Sequence, residues 1–177
     1  MIKNLCILVF ALAFLSCNPH EEPKANTGLP YFDLKGYFGK EIMRLKKAKP
    51  KVNKTVSING VEENKSLQVN DWDKELAIFI DADINKNSWK GSFKTNRKDD
   101  IITYTSDNKK IPVKKISVTE KSSKISRIEI IINQKNILFQ SQDTLTYLPD
   151  QLYQIKKQQK IRFLSTKNYA VIASFNP

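Results

Sequence analysis

Histidine and cysteine are almost missing from this chain: one His and two Cys among 177 residues. All three, Cys6, Cys17 and His20, stand before Glu21. Everything after that point lacks an imidazole and a thiol. A Ser-His-Asp triad, a Cys-His nucleophile pair and a zinc site on His or Cys ligands are thereby excluded there, unless His20 folds back. A disulfide is excluded too, so the folded part must be held by its core alone. Long apolar runs are also scarce. The run from Leu5 to Leu15 falls short of the roughly 20 residues that a bilayer-spanning helix needs. There is no internal repeat and no low-complexity segment. No stretch interleaves aromatic and basic residues as nucleic-acid-binding motifs do, so no nucleic-acid partner is expected.

What is present begins with an address. Lys3, the apolar run and the small Ser16 are the parts of a secretory signal peptide, which assigns residues 1–16 to that role. Phe14-Leu15-Ser16-Cys17 resembles the lipobox of bacterial lipoproteins, in which the cysteine receives a diacylglycerol and becomes the first residue. The typical box has Leu where Phe14 stands, and the looser boxes of Bacteroidota lipoproteins tolerate this departure. The resemblance implies lipidation at Cys17 and an anchor in the outer membrane, facing the periplasm or the outside. The other reading is ordinary cleavage near Ser16 with a free Cys17. Acyl chains would hold the protein stably, since each buried methylene contributes about 0.8 kcal/mol. Glu21 and Glu22, just after the cysteine, resemble the surface-export signal of the same lipoproteins and read equally as a solvated linker. Residues 17–30 hold three prolines and no apolar periodicity, which describes a flexible or extended tether.

Residues 31–177 are enough chain for one hydrophobic core and not for two. Thirty Lys and Arg against 18 Asp and Glu give a net charge of +12. The lysines are spread in pairs: Lys46-Lys47, Lys109-Lys110, Lys114-Lys115 and Lys156-Lys157. Such a surface favours anionic partners, namely acidic lipid, acidic glycan or an acidic envelope protein. A lysine-heavy genome would produce it without any partner.

The periodicities predict an α+β fold. Leu34, Phe38, Ile42 and Leu45 mark one face of a helix over 31–47, ended by Pro50. Two alternating runs, 52–58 and 61–69, flank Asn59-Gly60, whose positive φ angles suit a two-residue hairpin that pairs Ile58 with Val61 and Val52 with Leu67. A second helix, capped by Asn70 or Asp71, carries Trp72, Leu76, Phe79, Ile80 and Ile84 and should stop near Asn85. Strands are expected at 101–105, 113–119, 125–133, 137–147, 153–163 and 169–175. The short polar turns between them require antiparallel pairing without crossover helices. The whole is a twisted antiparallel meander of about seven to nine strands, with both helices covering its one dry face.

This arrangement is similar to the half-barrel of the lipoprotein carriers and lipoprotein receptor of the bacterial outer membrane, a likeness of architecture without a shared motif. It implies a hollow for an acyl chain, for which Phe38, Phe79, Ile130 and Phe139 are the candidate lining. Other chemistry has thinner support. Asp81, Asp83, Asn85 and Asn87 place oxygens at every second position as the front of a calcium loop does, but Lys86 replaces the turn glycine and Ser92 the closing glutamate. Asp71 with Asp73, and Asp99 with Asp100, could pair as glycosidase acids, and equally serve as caps and turn residues. Trp72 belongs to the apolar stripe; Trp89 flanks a turn and could stack on a sugar. The expectation is a lipid-anchored, non-enzymatic binding module of the cell envelope that needs no cofactor or metal. The alternative is an acyl-chain carrier or sensor.

Overall fold

The computed structural model describes residues 28–175. Its elements run α1 (Leu34–Ala48), β1 (Lys51–Ile58), β2 (Val61–Gln68), α2 (Trp72–Asp81), a 3-10 turn (Asn87–Trp89), β3 (Lys94–Lys98), β4 (Ile101–Thr105), β5 (Val113–Lys121), β6 (Lys124–Lys135), β7 (Phe139–Leu148), β8 (Leu152–Ile161) and β9 (Lys167–Phe175). The nine strands form one antiparallel sheet in the order β2-β1-β9-β8-β7-β6-β5-β4-β3. From β4 to β9 this is the expected meander, with β3 added at its edge. The β1–β2 hairpin then closes on β9, placing the earliest strands beside the last one. Its register is the predicted one, Ile58 opposite Val61 and Val52 opposite Leu67, across a turn in which Asn59 and Gly60 both hold positive φ.

Both helices differ from expectation at their ends. The first starts at Leu34, not Tyr31, because the Asp33 carboxylate accepts the Gly36 N–H at 2.8 Å and caps it there. Lys49 ends it in the left-handed conformation, donating its N–H to Leu45 at 2.8 Å. The second is capped by Asp71 and stops at Asp81, well before Asn85. Beyond it the Asp83 carboxylate takes the Asn85 N–H at 3.3 Å, a local bond that competes with continued helix. Ile84 remains fully buried in the extended exit. Strand β3, sequence Lys-Thr-Asn-Arg-Lys, was not among the expected strands. All five residues are exposed, so no apolar alternation marks it. The ends of two strands also move: Ile137, Leu138 and Phe163 lie in turns, since β7 starts at Phe139 and β8 ends at Ile161.

One face of the sheet is dry and covered by the helices. Ile128, Ile130, Leu145, Tyr147, Tyr153 and Ala173 are fully buried on it, the isoleucines and the leucine contributing about 1.5–3 kcal/mol each. Leu34, Phe38 and Leu45 of α1 and Trp72, Leu76 and Phe79 of α2 complete the core. The Phe38 ring lies 4.9 Å from Phe79 and 5.1 Å from Tyr147. Two polar clamps fix this cover. Tyr147 and Tyr153 are cross-strand partners in the β7–β8 hairpin. Tyr147 donates its hydroxyl to Glu41 on α1 at 2.5 Å, and Tyr153 donates to Glu75 on α2. Arg44 holds Glu41 through two N–H groups at 3.0 and 2.9 Å, and Lys54 of β1 holds Glu75 at 2.6 Å. Each phenol thus ties one helix to the sheet through a charge-assisted bond, about 1.5–3 kcal/mol.

Candidate functional site

On the sheet face away from the helices, four strands leave a hollow of about 350 Å³. Its floor follows from register. Ser57, Ala170, Lys156 and Thr144 lie side by side across β1, β9, β8 and β7, and Asn168, Gln158 and Gln142 form the neighbouring rung. Residues two apart on a strand share a face, so all seven side chains point the same way. Ser57 and Ala170 are short while Lys156, Gln158 and Gln142 are long. The depression is the missing side-chain volume in the middle of the rung. Gly60 lines one margin. The Asn168 backbone is bonded to Asn59, N–H to Oδ1 at 2.9 Å and carbonyl to N–H at 2.8 Å, so the hairpin turn pins this corner. Gln158 donates its amide to the Asn168 side-chain oxygen at 3.2 Å.

The chemistry offered is that of amides, hydroxyls and an ammonium. Gln142, Gln158 and Asn168 carry both donors and acceptors, Ser57 and Thr144 carry hydroxyls, and Lys156 adds one positive charge. No carboxylate is among the lining residues. A smaller hollow of about 160 Å³ on the adjoining β1–β2 hairpin, lined by Asn53, Thr55, Asn64 and Ser66 with Lys54 and Lys65, is polar in the same manner.

The residues singled out from sequence do not converge on this site. Cys17, His20, the signal segment 1–16 and residues 17–27 of the tether lie outside the described residues. Asn85 is occupied by structure: its Oδ1 accepts the Tyr31 N–H at 3.1 Å, and its amide donates to the Phe32 carbonyl at 3.0 Å and to Asp83 at 3.1 Å. With Asp83 it staples the start of the described chain to the exit of α2. Asp81 closes α2 and Asn87 opens the 3-10 turn. Among the described residues no three of His, Cys, Asp and Glu gather as a metal-holding group. Asp71 caps α2, Asp73 pairs with Lys46, Asp99 holds positive φ in the β3–β4 turn, and the Asp100 carbonyl accepts the Glu120 N–H at 2.8 Å. Trp72 is core, 6.0 Å from Phe175. Trp89 is half-buried, with the Lys86 ammonium 4.3 Å above its ring.

Phe38, Phe79 and Ile130, named as the lining of an acyl hollow, are fully buried against core neighbours. Phe139 is half-buried further along the sheet. One buried charged group merits a chemical reading. Asp143 accepts the Ser141 hydroxyl and takes Lys157 Nζ at 3.3 Å on its other oxygen. Both oxygens are engaged within the β7–β8 hairpin and Ser141 is itself buried, so the trio joins two strands and presents no accessible nucleophile.

Sequence reading missed the hollow. The alternation of β7 and β8 already put Gln142, Thr144, Lys156 and Gln158 on the wet face, and the small Ala170 was the remaining signal. What the alternation lacks is the register that sets Ala170 between Ser57 and Lys156. Comparison with protein-family models, curated proteins and solved structures finds no match to this chain.

Proposed function

We propose that this protein is a lipid-anchored, non-enzymatic binding module of the bacterial cell envelope whose polar hollow receives an acidic glycan. The observation that carries the ligand class is the lining: hydroxyl and amide groups on two adjacent rungs with the ammonium of Lys156 and no carboxylate, while Lys157, also at the lining, turns its ammonium to Asp143. Polyhydroxylated ligands exchange hydrogen bonds with such groups, and an acidic sugar gains the charge-assisted one. The net charge of +12 favours approach of a polyanion. Membrane attachment rests on the lipobox resemblance at Cys17. The alternative of an acyl-chain carrier needs space around Phe38, Phe79 and Ile130, and those side chains are packed.

Two experiments test this reading. Titration calorimetry of the protein with acidic and with neutral bacterial polysaccharides should show binding of the acidic ones, weakened by salt. Lys156→Ala and Gln158→Ala should each lower affinity roughly tenfold. Equal affinity for neutral and acidic glycans, or no effect of either substitution, overturns the assignment to the hollow. Radiolabelled palmitate should enter the protein in its bacterial host and fail to enter Cys17→Ser.

A further inference from the structure

Turns in water-soluble proteins are polar as a rule, yet this sheet carries bulky apolar side chains at the tips of its turns. In the β6–β7 turn Ile137 and Leu138 are 84% and 67% exposed, and in the β8–β9 turn Phe163 and Leu164 are 91% and 59% exposed. Antiparallel order puts both turns at the same end of the sheet, where the β1–β2 turn adds exposed Ile58 and Val61. The tips are built rather than loose. Asn136 Oδ1 accepts the N–H groups of Leu138 and Phe139, both at 2.8 Å. Arg162 donates its N–H to the Leu138 carbonyl at 2.8 Å, coupling one turn to the other. Phe163 holds φ +65°, a conformation that bulky residues rarely adopt, and this aims its ring outward.

Around the β6–β7 and β8–β9 tips the charge has one sign, whereas the β1–β2 turn is followed by Glu62 and Glu63. Residues 133–142 and 154–170 contain no Asp or Glu, while Lys135, Lys160, Arg162 and Lys167 stand at the strand ends just behind the apolar turns. Arg162 lies 4.9 Å from the Phe163 ring centroid. We infer that this end of the sheet docks on an anionic bilayer: Ile137, Leu138, Phe163 and Leu164 enter the headgroup–acyl boundary and the cations behind them meet lipid phosphates. Separate projecting tips with cations set back from them match a soft, laterally uniform surface, into which each tip can sink independently. A folded protein would need a groove shaped for all of them. Apolar burial and attraction to acidic lipid add together at such an interface. The inference does not depend on the acyl anchor or on the glycan hollow, which opens on the face of the sheet and reaches this end at Gly60.

The test uses the full chain carrying Cys17→Ala, so that no acyl chain contributes, with vesicles of phosphatidylcholine alone or mixed with phosphatidylglycerol. Tryptophan is placed at the tips by Leu138→Trp and, separately, Phe163→Trp, and at the opposite end of the sheet by Ile101→Trp. Both tip tryptophans should shift to the blue and be quenched by brominated lipid in the phosphatidylglycerol vesicles, and the one at 101 should not. Replacing Phe163 and Leu164 together by Ser should lower vesicle binding roughly tenfold or more, and Arg162→Gln or Lys167→Gln roughly fivefold each. No quenching at either tip, equal quenching at position 101, or unchanged binding of the variants overturns the inference. A blue shift without vesicles that grows with protein concentration also overturns it, and assigns the tips to contact with a second copy of the chain.

Discussion

Replacing Tyr147 by Phe removes one hydroxyl from the clamp between the sheet and α1 and leaves the ring in place. At neutral pH the lost partner is a carboxylate, Glu41, that still keeps two N–H groups of Arg44. The cost therefore falls at the low end for a hydrogen bond to a charged group, about 1.5 kcal/mol. The same contact makes this cost depend on pH. Burial, and then the hydrogen bond to Glu41 and its charge, hold the Tyr147 phenol well above its ordinary range. In the unfolded chain the phenol ionises near its ordinary value of about 10. Above that value the unfolded state binds fewer protons than the folded one, so the stability present below pH 10 is lost as pH rises. One such group gives a slope approaching about 1.4 kcal/mol per pH unit. Every ionisation that the two proteins share cancels in the difference. Urea denaturation of wild type and Tyr147→Phe, followed by circular dichroism, should show a gap of about 1.5 kcal/mol at pH 8 that closes near pH 11. A gap that stays constant over that range refutes the proposed protection of the phenol proton, and a gap of zero at pH 8 refutes the clamp.

Two further substitutions probe the core and the turn. Phe38→Ala empties the space between Phe79 and Tyr147 and should cost about 3–5 kcal/mol, read as a fall in the urea midpoint at unchanged slope. Gly60→Ala meets no atom within 4 Å but must hold φ +88°. Its cost is purely conformational, about 1–2 kcal/mol, and Gly60→Asn, which tolerates that region better, should recover part of it in the same assay.

Much of the fold is legible because its signals are local. The dry face of β6 is read from Ile128, Ile130 and Ile132 alternating with Arg127 and Glu129, and the first hairpin from Asn59-Gly60 between two alternating runs. The early end of α2 is less legible, since Asp83 and Asn85 look like helix or metal residues until their side chains are seen bonding nearby backbone. Strand β3 escapes altogether, because an edge strand exposed on both faces has no apolar pattern. The tips escape for the opposite reason: Ile137, Leu138 and Phe163 prolong the apolar content of their strands and so read as strand.

The sequence by itself determined the α+β class, the two amphipathic helices, the meander and the absence of histidine and thiol chemistry after Glu21. Each of these depends on relations between residues a few positions apart, which alternation and helical spacing encode directly. Only the tertiary structure decided that β1 closes on β9, that Tyr147 and Tyr153 each hold one helix through a glutamate, and that Ala170 sits between Ser57 and Lys156 to leave the hollow. It also decided that three apolar turns share one end of the sheet. Those relations join residues as far apart as Glu41 and Tyr147, and they depend on cross-strand register and turn length, which no local pattern records.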